Sequence, residues 1–444
     1  MSKATSQYRY LAAKSGPITF IVCYSLAVLM PLIIVRLLGL EHESIKREFA
    51  LGFGMIGLMF FLSSFWLSGR FKWITAKRGV DLMLKFHRRI VTFGLLFSLI
   101  HAVMILGSAM PDYLSLVIFA FFTIVLQFIL AKKKSKLKVK YEYWRLSHGV
   151  LAMLLVTSLT AHAIIEGSYS AHPVLSAYWI VLTVLAVLSL FYVHNYLPYQ
   201  ESKRPYKVVE IVEEAHQQWR VTIEPQGFEA MNFEAGQYAF VSFGDSPFSD
   251  RAHPFSFSSC PADRPKISFT IKELGDFTNT MKGIDVGSNV FLYGPYGHLT
   301  LNNRRGPKTK EKGVVLLAGG IGITPMISML RDMQARNYQL PVKLLYASRS
   351  QEELLYKEEL IQLSEKLDLD LHLVISEASD DWCGEIGRID ENYLKNHINF
   401  NQYQEYLYFT CGTSSFVNST VKGLEAVGGI PMFNIVFEDF SVYS

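Results

Sequence analysis

The sequence predicts a membrane-embedded, all-α bundle of six helices, followed by an antiparallel β-barrel and then a doubly wound α/β domain. Three observations carry this expectation. Hydrophobic residues make up 50% of the 444-residue chain, yet they concentrate before about residue 197, and the rest reads like an ordinary soluble chain. Six apolar stretches in the first part each approach the ~20 residues a helix needs to cross a bilayer. In the second part short strands separated by turns give way to strands alternating with helices. The expected boundaries are 1–200, 201–305 and 306–444.

The six stretches run 17–38, 49–68, 86–107, 111–131, 146–166 and 174–197. No small-residue cleavage site follows the first of them, so it reads as a retained anchor rather than a signal peptide. Basic residues mark every second connection. Lys3, Arg9 and Lys14 precede span one, and Arg70, Lys72, Lys77, Arg78 and Lys85 separate spans two and three. Lys132, Lys133, Lys134, Lys136, Lys138, Lys140 and Arg145 separate spans four and five, and Lys203, Arg204 and Lys207 follow span six. The alternate connections hold only Lys46 and Arg47, offset by Glu41, Glu43 and Glu48, or no basic residue. The positive-inside rule then predicts a multi-pass cell-membrane protein with both termini and the soluble part in the cytoplasm. A net charge of +4 argues against a nucleic-acid partner; membrane lipid is the partner the spans imply, and no obligatory protein partner is evident. Cys23, Cys260, Cys383 and Cys411 are too dispersed for a CxxC zinc site, a disulfide framework or a plant-type iron–sulfur cluster.

Ionisable side chains within a bilayer are costly and usually functional. Span three carries His87 and His101, and span five carries His148 and His162, each pair fourteen residues apart. On a helix that separation is a rise of ~21 Å and a rotation about 40° short of four turns. Each pair therefore shares a face, with one imidazole near each side of the membrane. Spans three and five run in the same direction, so His87 faces His148 at the inner level and His101 faces His162 at the outer level. Paired imidazoles from facing helices suit iron, which predicts two b-type haems stacked along the membrane normal. The plainer alternative is that each histidine hydrogen-bonds within the bundle; the matched spacing on two parallel spans disfavours it. His172 and His194 lack matched partners and read as interfacial. Arg88, Arg89 and Arg145 are either haem-propionate partners or ordinary positive-inside residues. Gly94 and Gly149 would leave room for a macrocycle, or are simply membrane-helix glycines.

After Pro205, the segments from Tyr206, Trp219, Gln237, Lys266 and Asn289 read as short antiparallel strands. Gly313–Ala318 is the continuous apolar run of a buried parallel strand. A glycine turn, Gly319-Gly-Ile-Gly-Ile-Thr-Pro, follows it, then a helical pattern from Met326 to Arg336. Strands at Val342–Ala347, Leu371–Ser376 and Tyr406–Thr410 complete an alternating α/β pattern. A glycine turn between strand and helix lets a pyrophosphate approach a helix N-terminus, although tight turns use glycine for other reasons.

Four motifs, in order, carry a resemblance: His253-Pro-Phe-Ser-Phe-Ser-Ser, Gly294-Pro-Tyr-Gly, Ala318-Gly-Gly-Ile-Gly-Ile-Thr-Pro and Cys411-Gly. Together with the two histidine pairs they make the chain resemble the bacterial NADPH oxidase and ferric reductase family, in which a six-helix bis-haem domain is fused to a ferredoxin–NADP reductase-like dehydrogenase. The resemblance implies that His253, Pro254, Phe255 and Ser256 contact FAD, with Phe255 against the isoalloxazine. Lys272, Gly275 and Thr278 would hold the flavin pyrophosphate. Gly320, Gly322 and Thr324 would cradle the phosphates of NADPH or NADH, and Cys411 and Gly412 would border the nicotinamide. Arg349 falls where relatives place a basic side chain against a 2′-phosphate, or is a solvated arginine. Phe440 is the expected C-terminal aromatic over the flavin, with Tyr443 as the alternative.

The implied activity is that of an NAD(P)H-dependent flavohaem oxidoreductase. Electrons would pass from cytoplasmic NAD(P)H through FAD and the two haems to an outer acceptor, dioxygen or ferric chelates. The outer connections are short and show no iron-binding cluster, which favours dioxygen; Glu166 and His172 would line that side. The alternative is a relay subunit that donates to an extracytoplasmic redox protein.

Overall fold

The computed structural model describes residues 3–40, 44–75, 79–105, 114–133, 141–248, 252–274, 278–302, 311–399, 403, 405–426, 430 and 434–438. The chain divides into two compact units. One comprises 15–74 and 82–197, the other 1–14, 75–81 and 198–444.

The first unit is helical. Its long helices are α1 (Lys3–Leu37), α2 (Ile45–Ser68), α4 (Val80–Ile105), α5 (Leu114–Lys133), α6 (Tyr141–Glu166) and α7 (Pro173–Phe191), with a single-turn α3 (Lys72–Thr75) between α2 and α4. Among the described residues, five helices are long and apolar enough to cross a membrane. The 20-residue α5 falls on the fourth predicted span. Their apolar character faces outward as well as inward. Phe121 and Phe122 on α5 and Val181, Val184 and Leu188 on α7 are exposed, as expected of surface that meets hydrocarbon.

The interior is built around α2 and α7, where Leu62, Leu175 and Trp179 are fully buried. Two hydrogen bonds between polar side chains lie inside it. The Trp179 indole donates to Ser170 Oγ at 3.0 Å, and the Thr160 and Thr183 hydroxyls bond at 2.7 Å between α6 and α7. Helices α2 and α4 approach closely through glycines. A Cβ on Gly57 would lie 2.9 Å from Ser98 Oγ, and one on Gly94 would lie 3.2 Å from Phe60. Gly94, expected to make room for a macrocycle, is instead occupied by this helix–helix contact. Gly149 on α6 does face open space. His172, expected at the outer interface, caps α7, its Nδ1 accepting from Val174 N–H at 3.3 Å. Helix α7 ends in one π-helical turn, Tyr192–Tyr196, before α8 (Leu197–Ser202).

The second unit holds two six-stranded sheets. The first contains β1 (Tyr206–Ala215), β2 (Gln218–Pro225), β3 (Tyr238–Phe243), β4 (His253–Ser256), β5 (Ile267–Lys272) and β6 (Asn289–Tyr296) in the order β4-β3-β6-β1-β2-β5. All its pairings are antiparallel. A bridge between Phe257 and Phe269 joins its two edges, which makes it a barrel. The second contains β7 (Val314–Gly319), β8 (Val342–Ser348), β9 (Leu369–Ile375), β10 (Glu385–Ile386), β11 (Leu407–Cys411) and β12 (Ile435–Glu438) in the order β10-β9-β8-β7-β11-β12, all parallel. Helices α9 (Ile323–Ala335), α10 (Lys357–Lys366), α11 (Glu391–His397) and α12 (Ser414–Ala426) alternate with these strands. Val314 to Ala318 are fully buried, the signature of a strand covered on both faces. The chain winds outward from β7 through β8 to β10, then returns to place β11 on the other side of β7. The β7/β11 junction is therefore the topological switch point of the sheet, where open α/β folds bind ligands.

Candidate cofactor sites

In the helical unit, the structure brings the outer pair together. The rings of His101 and His162 meet edge-on with centroids 6.3 Å apart, inclined at 68°. His101 Nδ1–H donates to the Ala50 carbonyl of α2 at 2.7 Å. A carbonyl only accepts, so this bond fixes the hydrogen on Nδ1 and leaves Nε2 with its lone pair free for a metal. Gly54, one helical turn beyond Ala50, makes the approach possible, because a Cβ there would lie 2.9 Å from His101 Nδ1. His162 Nδ1 is buried without a hydrogen-bond partner.

His87 of the inner pair is held in the same way as His101. His87 Nδ1–H donates to the Ser64 carbonyl of α2 at 3.1 Å, again leaving Nε2 available. His148 lies within electrostatic reach of His87 and is stacked on Trp144 at 5.3 Å and 10°. Sequence reasoning found the four histidines but not Ala50, Ser64 or Gly54, because a backbone carbonyl has no residue-type signature.

In the second unit, the barrel positions the first motif on an edge strand. His253, Pro254, Phe255 and Ser256 lie opposite Val241, Phe240, Ala239 and Tyr238 of β3. An edge tolerates the missing N–H of Pro254. Phe255 is half-buried against the barrel core. Lys272 ends β5 and forms an ion pair with Glu353 at 2.5 Å. The Thr278 hydroxyl accepts from Leu274 N–H at 2.8 Å. Gly275, Phe440 and Tyr443 lie outside the described residues.

The α/β sheet places the third and fourth motifs side by side. Cys411 is in register with Ala318 of β7 on one side and Glu438 of β12 on the other. Gly320 therefore follows β7, and Gly412 follows β11, at the switch point. Gly320 has φ +56° and open space where a Cβ would be, the form of a backbone turn that can receive a phosphate. Gly322 serves packing, since its Cβ would lie 2.2 Å from the Cys411 carbonyl. Thr324 is buried and its hydroxyl donates to the Ile321 carbonyl at 2.8 Å. Arg349 follows β8, exposed and ion-paired with Glu377 at 3.0 Å. Sequence reasoning passed over Glu438, a buried carboxylate at this junction that accepts from the His298 backbone N–H at 2.6 Å.

Polar clamps hold the barrel to the α/β sheet. Arg331 on α9 grips Glu359 bidentately at 2.6 and 2.7 Å and reaches the Ser258 carbonyl of the barrel at 2.6 Å. The Tyr356 hydroxyl bonds to Thr270 of β5. Burial pushes the Tyr356 phenol above its ordinary value, so it stays protonated.

The comparisons agree with this geometry. The model of a family described as "FAD-binding domain" matches residues 220–300, and that of "Oxidoreductase NAD-binding domain" matches 316–422. The reductase component of propane 2-monooxygenase from Mycolicibacterium smegmatis is 27% identical over 231 residues, covering 49% of this chain and 61% of that protein. The flavohemoprotein of Bacillus subtilis is 26% identical over 208 residues, covering 45% and 49%. The chain thus spans less than two thirds of the length of the curated relatives it matches. A flavohemoglobin structure from Malassezia yamatoensis, with bound FAD and heme, superposes with a TM-score of 0.51 at 19% identity, over 89% of this chain and 99% of that one. The barrel is therefore an FAD-binding domain and the α/β sheet an NAD-binding domain, of the kind found in flavin-dependent reductases.

Proposed function

We propose that the chain is a transmembrane NAD(P)H oxidoreductase, in which electrons from NADPH or NADH cross the bilayer through FAD and two b-type haems. The observation that carries this reading is the opposed pair His101/His162. Their ring centres lie 6.3 Å apart, and these two imidazoles would hold one haem iron, a metal that neutral imidazole nitrogen suits. The bonds to Ala50 and Ser64 occupy the Nδ1 atoms of His101 and His87 and leave their Nε2 atoms as the candidate ligands. The residues present thus fit two bis-imidazole sites, His87/His148 and His101/His162. When bound, FAD accepts a hydride and the haem irons pass single electrons.

The remaining work belongs to the chain. Gly320 and Gly412 receive the dinucleotide at the switch point. Cys411 borders the nicotinamide, and the His253–Ser256 strand contacts the flavin. The apolar faces of α5 and α7 seal the bundle in lipid and exclude water from between the sites. Both termini and the second unit lie on the cytoplasmic side, following the basic connections. The acceptor on the outer side is dioxygen or a ferric chelate.

A second reading is favoured by similarity to the electron transfer component of anthranilate 1,2-dioxygenase from Acinetobacter baylyi. In that reading the chain donates to a separate redox protein. One preparation tests both. Anaerobic reduced-minus-oxidised spectra of the purified chain should show about two haems per chain, falling to about one in His101→Ala. A spectrum without haem removes the transmembrane path. NADPH oxidation with dioxygen or ferric citrate alone supports the enzyme; silence until a partner protein is added supports the relay.

A further inference from the structure

Among the described residues, one cluster with metal-ligating atoms lies outside the sites above. His372 on β9, Glu385 on β10 and His397 at the end of α11 present ligand atoms all within 4.8 Å of one another. They lie beside the edge strand β10 of the NAD-binding sheet, and all three are partly exposed. His372 Nδ1 is 2.6 Å from Glu385 Oε1, and His397 Nε2 is 3.3 Å from Glu385 Oε2. The two rings meet edge-on at 5.0 Å. One carboxylate therefore bridges two imidazole nitrogens from separate elements.

What turns proximity into a site is the other nitrogen of each ring. His397 Nδ1–H donates to the Tyr393 carbonyl at 2.8 Å, which fixes its Nε2 as the lone-pair nitrogen aimed at Glu385. His372 Nε2 is 3.0 Å from Asp370 Oδ1. With its hydrogen on Nε2, it forms the carboxylate–histidine pair that orients metal-ligating imidazoles, and Nδ1 faces Glu385 with its lone pair. Lys343 also stands 3.1 Å from His372 Nε2 and pairs with Asp370. It selects the opposite tautomer when no cation is present, with Nδ1–H donating to Glu385. The Tyr393 hydroxyl donates to Glu385 Oε2 at 2.5 Å and holds the carboxylate in place.

We propose that His372 Nδ1, His397 Nε2 and the Glu385 carboxylate bind a zinc-class divalent cation that ties β10 and α11 to the body of the NAD-binding sheet. Imidazole suits zinc and its neighbours, and two histidines with one carboxylate leave a fourth position for water. Solvent exposure gives the ion a way in. The proposal does not rest on the electron-transfer reading.

The test uses the full chain purified with its cofactors, freed of adventitious metal and titrated with Zn2+ alone against a chromophoric chelator. Wild type should bind one more zinc than His372→Ala/His397→Ala, and Glu385→Gln should bind at least ~10-fold more weakly. X-ray absorption at the zinc edge should give two imidazole nitrogens and a carboxylate oxygen at about 2.0–2.2 Å. Zinc should raise the unfolding midpoint of wild type and leave that of the double variant unchanged. Equal zinc uptake by wild type and double variant, or a coordination shell lacking two imidazoles, overturns the proposal. Flavin content reports folding. If the double variant does not fold, Glu385→Gln decides the matter, since an unchanged zinc affinity there is a refutation.

Discussion

The two units hold their key side chains by different means. In the helical unit, His87 and His101 are held by the backbone carbonyls of Ser64 and Ala50. In the second unit the equivalent work falls to charges, as in Arg331 with Glu359 and Lys272 with Glu353. A carbonyl positions a ring without adding a net charge to a medium that cannot solvate one. A salt bridge does the same task only where water and opposite charge are at hand. The contrast teaches that histidine spacing finds which rings share a helix face, while the neighbouring helix sets which nitrogen each one offers.

Three measurements would break or sharpen this contrast, the largest effect first. Arg331→Ala leaves Glu359 without its partner and the Ser258 carbonyl without its donor. The cost should be about 3 kcal/mol to the second unit, read as a lower unfolding midpoint with the helical unit unaffected. A midpoint equal to wild type would mean charges do not hold this unit together. Gly54→Val forces the His101 ring off the Ala50 carbonyl, because its Cβ would start 2.9 Å from Nδ1. Retention of the proposed outer haem should weaken by about 10–100-fold while the proposed inner one stays, followed by haem content during dilution. Equal loss at both levels would show that Gly54 serves general packing.

The smallest effect is electrostatic. The hydrogen bond and charge of Arg220 hold the Glu210 carboxyl below its ordinary value. A depressed carboxyl contributes stability above its unfolded pKa, about 4.3, and loses it as pH falls through the folded value. Glu210 is half-exposed, so the contribution is under about 1 kcal/mol. The midpoint difference between wild type and Glu210→Gln should be present at neutral pH and close on acidification below that point. A difference that persists in acid would assign it to packing.

Much of the architecture was legible because its signals are local. Hydropathy marks spans directly, although it saw only the apolar part of α1, whose helix begins at Lys3 rather than near residue 17. Strands β1, β2, β5 and β7 follow from alternation or from continuous apolar runs. Strand β4 did not, since four residues containing Pro254 carry no pattern and owe their pairing to β3. Strand β12 escaped for the same reason: it pairs only with β11. The histidine pairs were readable as a period along two helices. Their acceptors were not, and neither was the His372–Glu385–His397 cluster, whose members come from three separate elements.

Helix α2 supplies both carbonyls, and Ala50 and Ser64 are themselves fourteen residues apart, the same interval that separates His87 from His101. The two antiparallel helices therefore share one phase, and a single rigid rod keeps both levels aligned. An extra residue inserted between positions 50 and 64 would rotate one acceptor by about 100° and slide it about 1.5 Å relative to the other. The chain would then keep one level in step only by abandoning the other, so insertions in this stretch should be tolerated far less than substitutions that change size alone.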